Sequence, residues 1–268
     1  MAEATPPGGL MAGRRGLVLG VANDHSIAWG IAQALAAQGA EMAFTYQGDG
    51  FGRRVIPLAE SLGATIVMPL DVLDAASLDA VFGRIAQDWG RLDFVVHAIA
   101  FSDKAELDGR FIETTRANFL RSLEISCYSL VDVARRAEPL MTAGGSILTL
   151  TYIGAQRVTP NYNVMGVAKA ALESSVRYLA NDLGPKGIRV NAISAGPMRT
   201  LAGAAISGAR KVYRAAEANA PLRSNGTLEA VGGTAVWLLS DFGACTTAEV
   251  VFVDGGYHAL GMAQSENL

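Results

Sequence analysis

Short apolar segments rich in β-branched and aromatic residues alternate with helix-patterned segments along most of the 268-residue chain. Several are apolar at successive positions, as in Phe94-Val95-Val96, and continuous apolar runs are typical of strands buried on both faces. We predict seven strands, over residues 16–21, 41–46, 65–70, 92–99, 146–151, 188–194 and 250–253. Because strand–helix alternation favours parallel strands joined by right-handed crossovers, the sequence predicts an α/β fold. We expect a doubly wound sheet of about seven parallel strands flanked by helices.

The segments between the strands carry helical periodicity. Ile27, Ile31 and Leu35 are spaced four residues apart and the pattern ends near Gly39, which predicts the first helix. Further helices are predicted over residues 75–89, 114–136, 163–183 and 228–239. No internal repeat or linker interrupts this alternation, so we expect a single domain over residues 14–268.

Composition argues against several classes of protein. A net charge of -3 gives no electrostatic case for binding nucleic acid or an anionic membrane surface. Half of the residues are hydrophobic, which favours a sizeable core over disorder. The longest apolar runs have the length of strands, so no membrane-spanning segment is expected. Residues 1–13 lack the apolar core of a secretory signal, and we expect them to form a loose N-terminal arm.

Cysteine and histidine are sparse. Cys127 and Cys245 lie far apart without the spacing of metal ligands, so we expect two buried free thiols in a reducing cytoplasm. The three histidines, at positions 25, 97 and 258, are scattered and indicate no metal site. A Ser-His-Asp triad is assembled in space, so the sequence leaves that possibility open.

The turn between the first strand and the first helix is a candidate phosphate site. Gly20 ends the strand and Ser26 opens the helix, in the pattern Gly20-x5-Ser26-Ile27-Ala28-x-Gly30 in place of Gly-x-Gly-x-x-Gly. In a doubly wound sheet this turn faces the cofactor crevice, where backbone N–H groups at a helix start favour phosphate oxygens. A serine helix cap beside a glycine is an equally ordinary reading of the pattern.

The residues after the second and third predicted strands are further candidates for binding a dinucleotide. Gln47 follows the second strand, where many NAD-binding folds have an acidic residue, and the nearby Arg53 and Arg54 suit either a 2′-phosphate or a solvated surface. NADH and NADPH therefore both remain open. Asp71 and Val72 follow the third strand and suit an adenine ring, unless Asp71 only caps the next helix.

Tyr162 and Lys169 are separated by six residues at the start of a predicted helix, and Tyr152 precedes Tyr162 by ten positions. A phenol and an ammonium on one helix can donate to an oxygen that gains negative charge in a reaction. The alternative is a pair of amphipathic tyrosines at the edge of the core. The residues alone thus indicate a dinucleotide-dependent reductase with a phenol that stabilises an oxyanion.

Together these segments, at residues 20–30, 44–47, 152–169 and 191–202, resemble the bacterial NADH-dependent enoyl-acyl-carrier-protein reductases. The resemblance covers nearly the whole chain and is most specific around Tyr152, Tyr162 and Lys169. Stretches 23–25 and 101–104 look like alphaproteobacterial members. The resemblance implies a Rossmann-type domain of the short-chain dehydrogenase/reductase superfamily. It also implies an NADH cofactor, an enoyl substrate on acyl carrier protein and a homotetramer.

The resemblance implies a role for each matching position. Tyr162 would meet the thioester carbonyl, Lys169 would bind the nicotinamide ribose, and Tyr152 would line the acyl pocket with a second polar group. Ser102 would lie beside the substrate. The implied dinucleotide contacts, besides Lys169, are Gly20, Ser26, Ile27, Gln47, Asp71, Val72, Ile99, Met198, Thr200, Leu201 and Ala202.

Three places depart from the family pattern. Ala98 and Ala100 stand where relatives commonly have Ser and Gly, and residues 222–227 differ from an expected Arg-Arg-Thr run. None of these changes removes a catalytic group. The alanine at position 100 is expected to tighten the nicotinamide pocket.

Residues 200–214 combine small residues with a helix-like end, and we expect a mobile lid over the acyl chain. A plain surface helix is the alternative. Arg210, Lys211 and Arg214 in this segment suit an acidic carrier protein.

Two rival functions are weighed against enoyl reduction. A carbonyl- or alcohol-specific short-chain dehydrogenase is disfavoured because the common Tyr-x-x-x-Lys spacing is absent and position 166 is Gly. A non-catalytic dinucleotide-binding protein is disfavoured because Tyr162 and Lys169 are both present.

Overall fold

The computed structural model describes residues 8–204 and 207–267. Its seven strands are β1 (Arg15–Leu19), β2 (Glu41–Tyr46), β3 (Val67–Pro69), β4 (Phe94–His97), β5 (Gly145–Thr151), β6 (Ile188–Ala195) and β7 (Val250–Val253). They form one sheet in the order β3-β2-β1-β4-β5-β6-β7, and every neighbouring pair is parallel. The predicted fold class is confirmed. Because strand order reverses between β1 and β4, a crevice opens at their carboxyl ends.

Nine α-helices lie among the described residues, on both faces of the sheet. They are α1 (Ile27–Ala37), α2 (Gly48–Ser61), α3 (Ala75–Trp89), α4 (Arg116–Leu123), α5 (Ser129–Ala137), α6 (Asn163–Leu183), α7 (Leu201–Ala204), α8 (Ala209–Asn219) and α9 (Leu228–Leu239). The predicted helices at 75–89, 163–183 and 228–239 agree with α3, α6 and α9. The predicted helix at 114–136 is instead α4 and α5 joined by a π-helical turn, Glu124–Tyr128.

Helix α2 was not predicted because glycines and an internal Pro57 lower its intrinsic propensity. Its apolar residues nevertheless recur on one face, where Val55 and Ala59 are fully buried. Burial of that face stabilises a helix that local preference does not favour.

The core lies on both faces of the sheet, as the continuous apolar runs predict. In β1, Leu17 and Leu19 pack in one hydrophobic cluster, with side chains from α3, α5 and α6. Val18 points to the opposite face and packs with α1, α2 and α9. A strand of this kind is therefore buried on both faces, which explains why apolar and polar residues do not alternate along its sequence.

The N-terminal arm differs from the prediction over the part that the structure describes. Met11 is fully buried, and its N–H donates to the Gln38 carbonyl over 2.9 Å. The Leu10 N–H donates to Gln38 Oε1 over 3.1 Å. Residues 8–13 are thus packed on the end of α1 rather than loose, while residues 1–7 lie outside the described residues.

The cysteine prediction is corrected in one respect. Both cysteines are free thiols, but Cys127 is only half-buried and Cys245 is exposed. Cys127 Sγ lies 3.4 Å from Ser175 Oγ. Over residues 8–204 and 207–267, no helix has the length and apolar character needed to cross a membrane.

Candidate active site

The end of β5 and the start of α6 bring the two predicted tyrosines together. Tyr152 follows the last residue of β5, and Tyr162 immediately precedes α6. Their rings meet edge to face, with centroids 5.1 Å apart and an interplanar angle of 67°. Lys169 lies two turns into α6, and its Nζ donates to the Leu150 carbonyl over 2.7 Å. All three groups therefore converge on the carboxyl end of β5.

Two glycines allow this convergence. A Cβ on Gly166 would lie 2.8 Å from the Gly154 carbonyl oxygen, and a Cβ on Gly154 would lie 2.4 Å from Cδ1 of Tyr162. The short turn after Tyr152 therefore packs directly on α6 and on the Tyr162 ring. Position 166 is where a Tyr-x-x-x-Lys spacing would require the lysine. A lysine Cβ does not fit there, which gives the longer spacing a steric reason.

Asparagines on either side of Tyr162 fix its backbone, and sequence reasoning missed both. Asn161 and Asn163 have positive φ angles of 60° and 34°, a conformation that asparagine tolerates better than most residues. Asn161 Nδ2 donates to the Ser207 carbonyl over 2.9 Å, and Asn163 Nδ2 donates to the Leu107 carbonyl over 2.9 Å. Tyr162 is thus held between two loops. The Asn-Tyr-Asn sequence was the available signal.

Burial sets the protonation of the site. It raises the pKa of Tyr162, with smaller contributions from Tyr152 and Glu173, and Tyr162 is 8% exposed. Burial also raises the pKa of Tyr152 to about 12, aided by Tyr257 and Asp254. Both phenols therefore keep their protons at neutral pH, and a protonated phenol can donate a hydrogen bond.

Burial has the opposite effect on the pKa of Lys169, because the protonated form of lysine is the charged one. Burial lowers its pKa from 10.5 to about 8, against the influence of Cys127 and Glu173, which favour the charged form. The ammonium group therefore stays largely protonated at pH 7 and loses its proton in mildly alkaline solution.

Glu173 is a second group that sequence reasoning missed. It lies one turn after Lys169 on α6 and is 5% exposed. Its carboxylate accepts hydrogen bonds from Thr151 Oγ1 over 2.8 Å and from Gln156 Nε2 over 3.1 Å. These two donors flank the turn that carries Tyr152.

His97 is the last residue of β4 and is fully buried. Its Nδ1 lies 3.0 Å from Thr149 Oγ1 and its Nε2 lies 2.8 Å from Ser129 Oγ. Burial, with a further contribution from the charge of Lys169, lowers the pKa of His97 to about 3. The ring is neutral and contacts hydroxyl groups rather than a carboxylate, so the histidine is structural and not part of a triad.

The turn after β1 has the features of a phosphate cradle. Gly20 has a φ of 96°, and a Cβ there would lie 2.0 Å from the Ala98 carbonyl oxygen, so only glycine fits. Ser26 Oγ accepts from the Ala22 and Asn23 N–H groups, each over 2.9 Å. Because the hydroxyl group shapes the loop, it makes no side-chain cap on α1. The helix start, including Ile27, keeps its N–H groups for an anion.

The second and third strands end in a polar contact. Gln47 Nε2 donates to Asp71 Oδ2 over 3.3 Å, and Asp71 Oδ1 accepts from the Leu73 N–H over 2.9 Å. The cap of α3 is Asp74, which accepts from the Ala76 N–H, so Asp71 is not the helix cap.

Other predicted residues follow the carboxyl ends of β2, β3 and β4 along the chain. Val72 and Ile99 are half-buried against the core. Arg53 and Arg54 are exposed on α2.

Ser102 lies in a separate polar cluster centred on Asn118. Asn118 Nδ2 donates to Ser102 Oγ over 3.2 Å, and Asn118 Oδ1 accepts from the Asp103 N–H over 2.9 Å. The buried Ser122 hydroxyl also donates to Asn118 Oδ1 over 3.2 Å. Asn118 therefore fixes the loop that carries Ser102.

The predicted lid is a pair of helices, α7 and α8, with residues 205–206 between them outside the described residues. Thr200 Oγ1 accepts from the Gly203 N–H over 3.0 Å, and Met198 packs at the edge of the core. Leu201 is 47% exposed, and the Ala202 side chain lies outside the description.

The basic side chains of the predicted lid, Arg210, Lys211 and Arg214, are exposed on α8. The altered run at 222–227 joins α8 to α9, and Asn225 Nδ2 donates to the Tyr213 carbonyl over 3.0 Å. The departure from the family pattern therefore falls beside α8.

Comparisons with known proteins agree with this geometry. Residues 20–258 match the family model described as enoyl-(acyl carrier protein) reductase. Enoyl-[acyl-carrier-protein] reductase [NADH] 2 of Rhizobium meliloti is 59% identical over 260 residues, covering 97% of each chain.

Solved structures give the same result. An Anaplasma phagocytophilum enoyl-(acyl-carrier-protein) reductase in complex with NAD superposes with a TM-score of 0.93 at 59% identity, covering 97% of this chain and 100% of that one. The Bacillus cereus enoyl-acyl carrier protein reductase with NADP+ and an indole naphthyridinone has a TM-score of 0.93 at 50% identity, covering 95% and 100%. The chain belongs to the enoyl-(acyl carrier protein) reductase family.

Proposed function

We propose that this protein reduces the trans-2 double bond of an enoyl thioester on acyl carrier protein, with NADH as the hydride donor, in fatty-acid elongation. The observation that carries the proposal is the convergence of Tyr152, Tyr162 and Lys169 at the end of β5, beside the crevice opened by the strand order.

The crevice suits a dinucleotide. Gly20 has no room for a Cβ, so the backbone of this turn is open to close approach by a ligand. Ser26 makes no side-chain cap on α1, so the backbone N–H groups at the helix start can approach a pyrophosphate. When bound, the reduced nicotinamide supplies hydride. The residues that would hold it are Gly20, Ser26, Ile27, Gln47, Asp71, Val72, Ile99, Lys169, Met198, Thr200, Leu201 and Ala202.

Tyr162 is the proposed donor to the thioester oxygen. Addition of hydride to the β-carbon moves negative charge to that oxygen, and a neutral phenol can donate a hydrogen bond or its proton to it. The raised pKa of Tyr162 keeps its proton in place until that charge develops. Exclusion of water strengthens the interaction because the local dielectric constant is low.

Lys169 and Tyr152 support this donor. The protonated Lys169 holds the ribose of the dinucleotide and adds positive potential that favours the oxyanion. Tyr152 packs edge-on against Tyr162, limiting its ring positions, and lines the acyl pocket with a second phenol. Ser102 is proposed to contact the substrate from the loop fixed by Asn118.

Oxidation of NADH with a crotonyl thioester, compared with a panel of ketones and alcohols, tests the reaction. We expect activity with the enoyl thioester alone. Activity on ketones without enoyl reduction would replace the proposal with a carbonyl-specific dehydrogenase, and binding of dinucleotide without any turnover would indicate a non-catalytic binding protein.

Cofactor choice is tested at α2. Arg53 and Arg54 are exposed there, close in sequence to Gln47, and we propose that they do not select the cofactor. The double substitution R53A/R54A should leave the ratio of kcat/KM for NADH over NADPH unchanged. Selective loss of NADPH activity would show that the arginines bind a 2′-phosphate.

We also propose a homotetramer, on the family resemblance and on the outer face of α6. Tyr178 on that face is 73% exposed and borders a cavity of about 450 Å³ lined by α5 and α6 side chains. Light scattering should give four times the chain mass of 28.0 kDa. Tyr178→Glu should dissociate the assembly, whereas an unchanged mass would place the interface elsewhere.

The lid over the acyl chain stays a proposal for residues 200–214, with the basic side chains of α8 receiving the carrier protein. Hydrogen exchange should slow in this segment when NADH and an acyl analogue bind. Arg210→Glu with Arg214→Glu should raise KM for the carrier-bound substrate and leave KM for crotonyl coenzyme A unchanged. An equal effect on both substrates would argue against a docking role.

A further inference from the structure

Glu173 is a buried carboxylate that the proposed chemistry leaves unused. A carboxylate removed from water is costly unless hydrogen bonds and a nearby cation compensate. Thr151 and Gln156 donate to the two carboxylate oxygens of Glu173, and Lys169 lies one turn earlier on the same helix. Its position beside the reacting groups suggests a role in function as well as in stability.

The two hydrogen bonds enclose the turn that carries Tyr152. Thr151 is the residue before Tyr152, and Gln156 closes the 3-10 turn after it. Lys169 holds the preceding Leu150 carbonyl. Side chains from α6 therefore make hydrogen bonds to Leu150, Thr151 and Gln156, and Tyr152 lies within this stretch.

Cys127 and Glu173 both favour the charged form of Lys169, and Glu173 is the carboxyl group of the two. The titratable groups that act on Lys169 come from three elements: His97 on β4, Cys127 on the π-helical turn and Glu173 on α6 itself. Burial lowers the pKa of His97 to about 3, so its ring carries no charge at neutral pH. Glu173 is the carboxyl group of this set, and it lies four residues after Lys169 on the same helix.

We propose that Glu173 is a positioning residue, which fixes the Tyr152 turn through Thr151 and Gln156 and places its carboxyl group one turn from the amine of Lys169 on α6. The inference rests on the proposed function for the roles of Tyr152 and Lys169. The coupling between Glu173 and Lys169 and the hydrogen bonds that hold the Tyr152 turn do not depend on a bound ligand.

Glu173→Gln tests the charge, because glutamine keeps the side-chain size and an acceptor for Thr151. Loss of a nearby opposite charge lowers a lysine pKa by about one unit or more. If Lys169 titrates at about 8 in the parent protein, the protonated fraction at pH 8 falls from about one half to about one tenth. The NADH Kd should therefore rise about fivefold at pH 8 and less than about twofold at pH 6.

The matched control is Glu60→Gln, which removes an equal charge from the exposed face of α2 and should leave NADH affinity unchanged at both pH values. Equal weakening of NADH binding by Glu173→Gln at pH 6 and pH 8 would overturn the charge role. It would mean that the substitution disturbs packing only.

A ligand-free measurement separates this inference from the proposed function. The free energy of unfolding of the apoprotein is measured against pH for Glu173→Gln with and without Lys169→Met. The difference between the two curves reports the Lys169 titration, and its midpoint should lie below that of the parent pair. An identical midpoint refutes the coupling, whatever reaction the protein catalyses.

Thr151→Val tests the anchor and leaves both charges in place. We expect kcat with crotonyl thioester to fall several-fold, with an unchanged NADH Kd and an unchanged pH profile. Unchanged kcat and KM would refute the anchoring role. If Glu173→Gln does not fold, Gln156→Ala removes the other hydrogen bond and should give the same kinetic pattern as Thr151→Val.

Discussion

Replacement of Lys169 by methionine should remove a pH dependence from the stability of the folded protein. Lys169 is 6% exposed, and burial lowers its pKa from 10.5 to about 8. Below pH 8 the amine is protonated in both the folded and the unfolded states, so the whole cost of its burial is present. Between pH 8 and pH 10.5 the unfolded chain holds a proton that the folded chain has released, so the free energy of unfolding rises with pH.

The size of the effect follows from those two pKa values. A difference of about 2.5 at 1.36 kcal/mol per unit corresponds to roughly 3 kcal/mol, most of it recovered between pH 7 and pH 10. Methionine also loses the hydrogen bond to the Leu150 carbonyl, a charge-assisted bond that contributes about 1.5–3 kcal/mol. At pH 7 the two contributions oppose each other, so the net change in stability is small.

The change between pH 7 and pH 10 isolates the titration of Lys169, because methionine has no proton to release over this range. Chemical denaturation of the parent and Lys169→Met proteins should give a difference in unfolding free energy that shifts by on the order of 2–3 kcal/mol between these pH values. Lys211→Met, on the exposed face of α8, is the control and should show no shift. A pH-independent difference for Lys169→Met would refute the argument that burial lowers this pKa.

Three further outcomes are expected. Tyr162→Phe should lower kcat by about 10²-fold or more, because the phenol donates to the substrate oxygen. The NADH Kd should stay within about twofold in a fluorescence titration. A parallel loss of turnover and of NADH affinity would contradict the role of Tyr162. Gly166→Ala should lower kcat and the melting temperature together, because its Cβ would lie 2.8 Å from the Gly154 carbonyl oxygen; an unchanged kcat would argue against the steric reason for the spacing. Asn163→Gly and Asn163→Ala both remove the amide donor, but only glycine adopts the positive φ without strain. Asn163→Gly should therefore lower the melting temperature less than Asn163→Ala. Equal losses of melting temperature would show that the backbone angle does not matter.

Local pattern predicted most of the elements because those elements follow single physical rules. The run Phe94-Val95-Val96 is apolar throughout because β4 is buried on both faces. Helices α3, α6 and α9 have bounds that side-chain periodicity and caps indicate. Helix α2 was missed because its stability comes from packing of Val55 and Ala59 and not from propensity.

The site shows the same division between local and distant information. Tyr152, Tyr162 and Lys169 were found because their spacing is a local property of one segment. Glu173 was missed because a glutamate on a helix is ordinarily solvated, and its burial depends on Thr151 and Gln156 from another element. Asn163 was missed for a similar reason, since its amide donates to carbonyl groups more than fifty positions away.

The sequence by itself determined the parallel α/β fold, the family and the phenol and ammonium groups of the candidate site, because each is encoded in short-range pattern. Tertiary structure alone decided the protonation and placement of those groups. The pKa values of Tyr162 and Lys169 depend on how completely the folded chain removes water, and a sequence does not state burial. The six-residue spacing likewise acquired its reason only when Gly154 and Gly166 were found in contact.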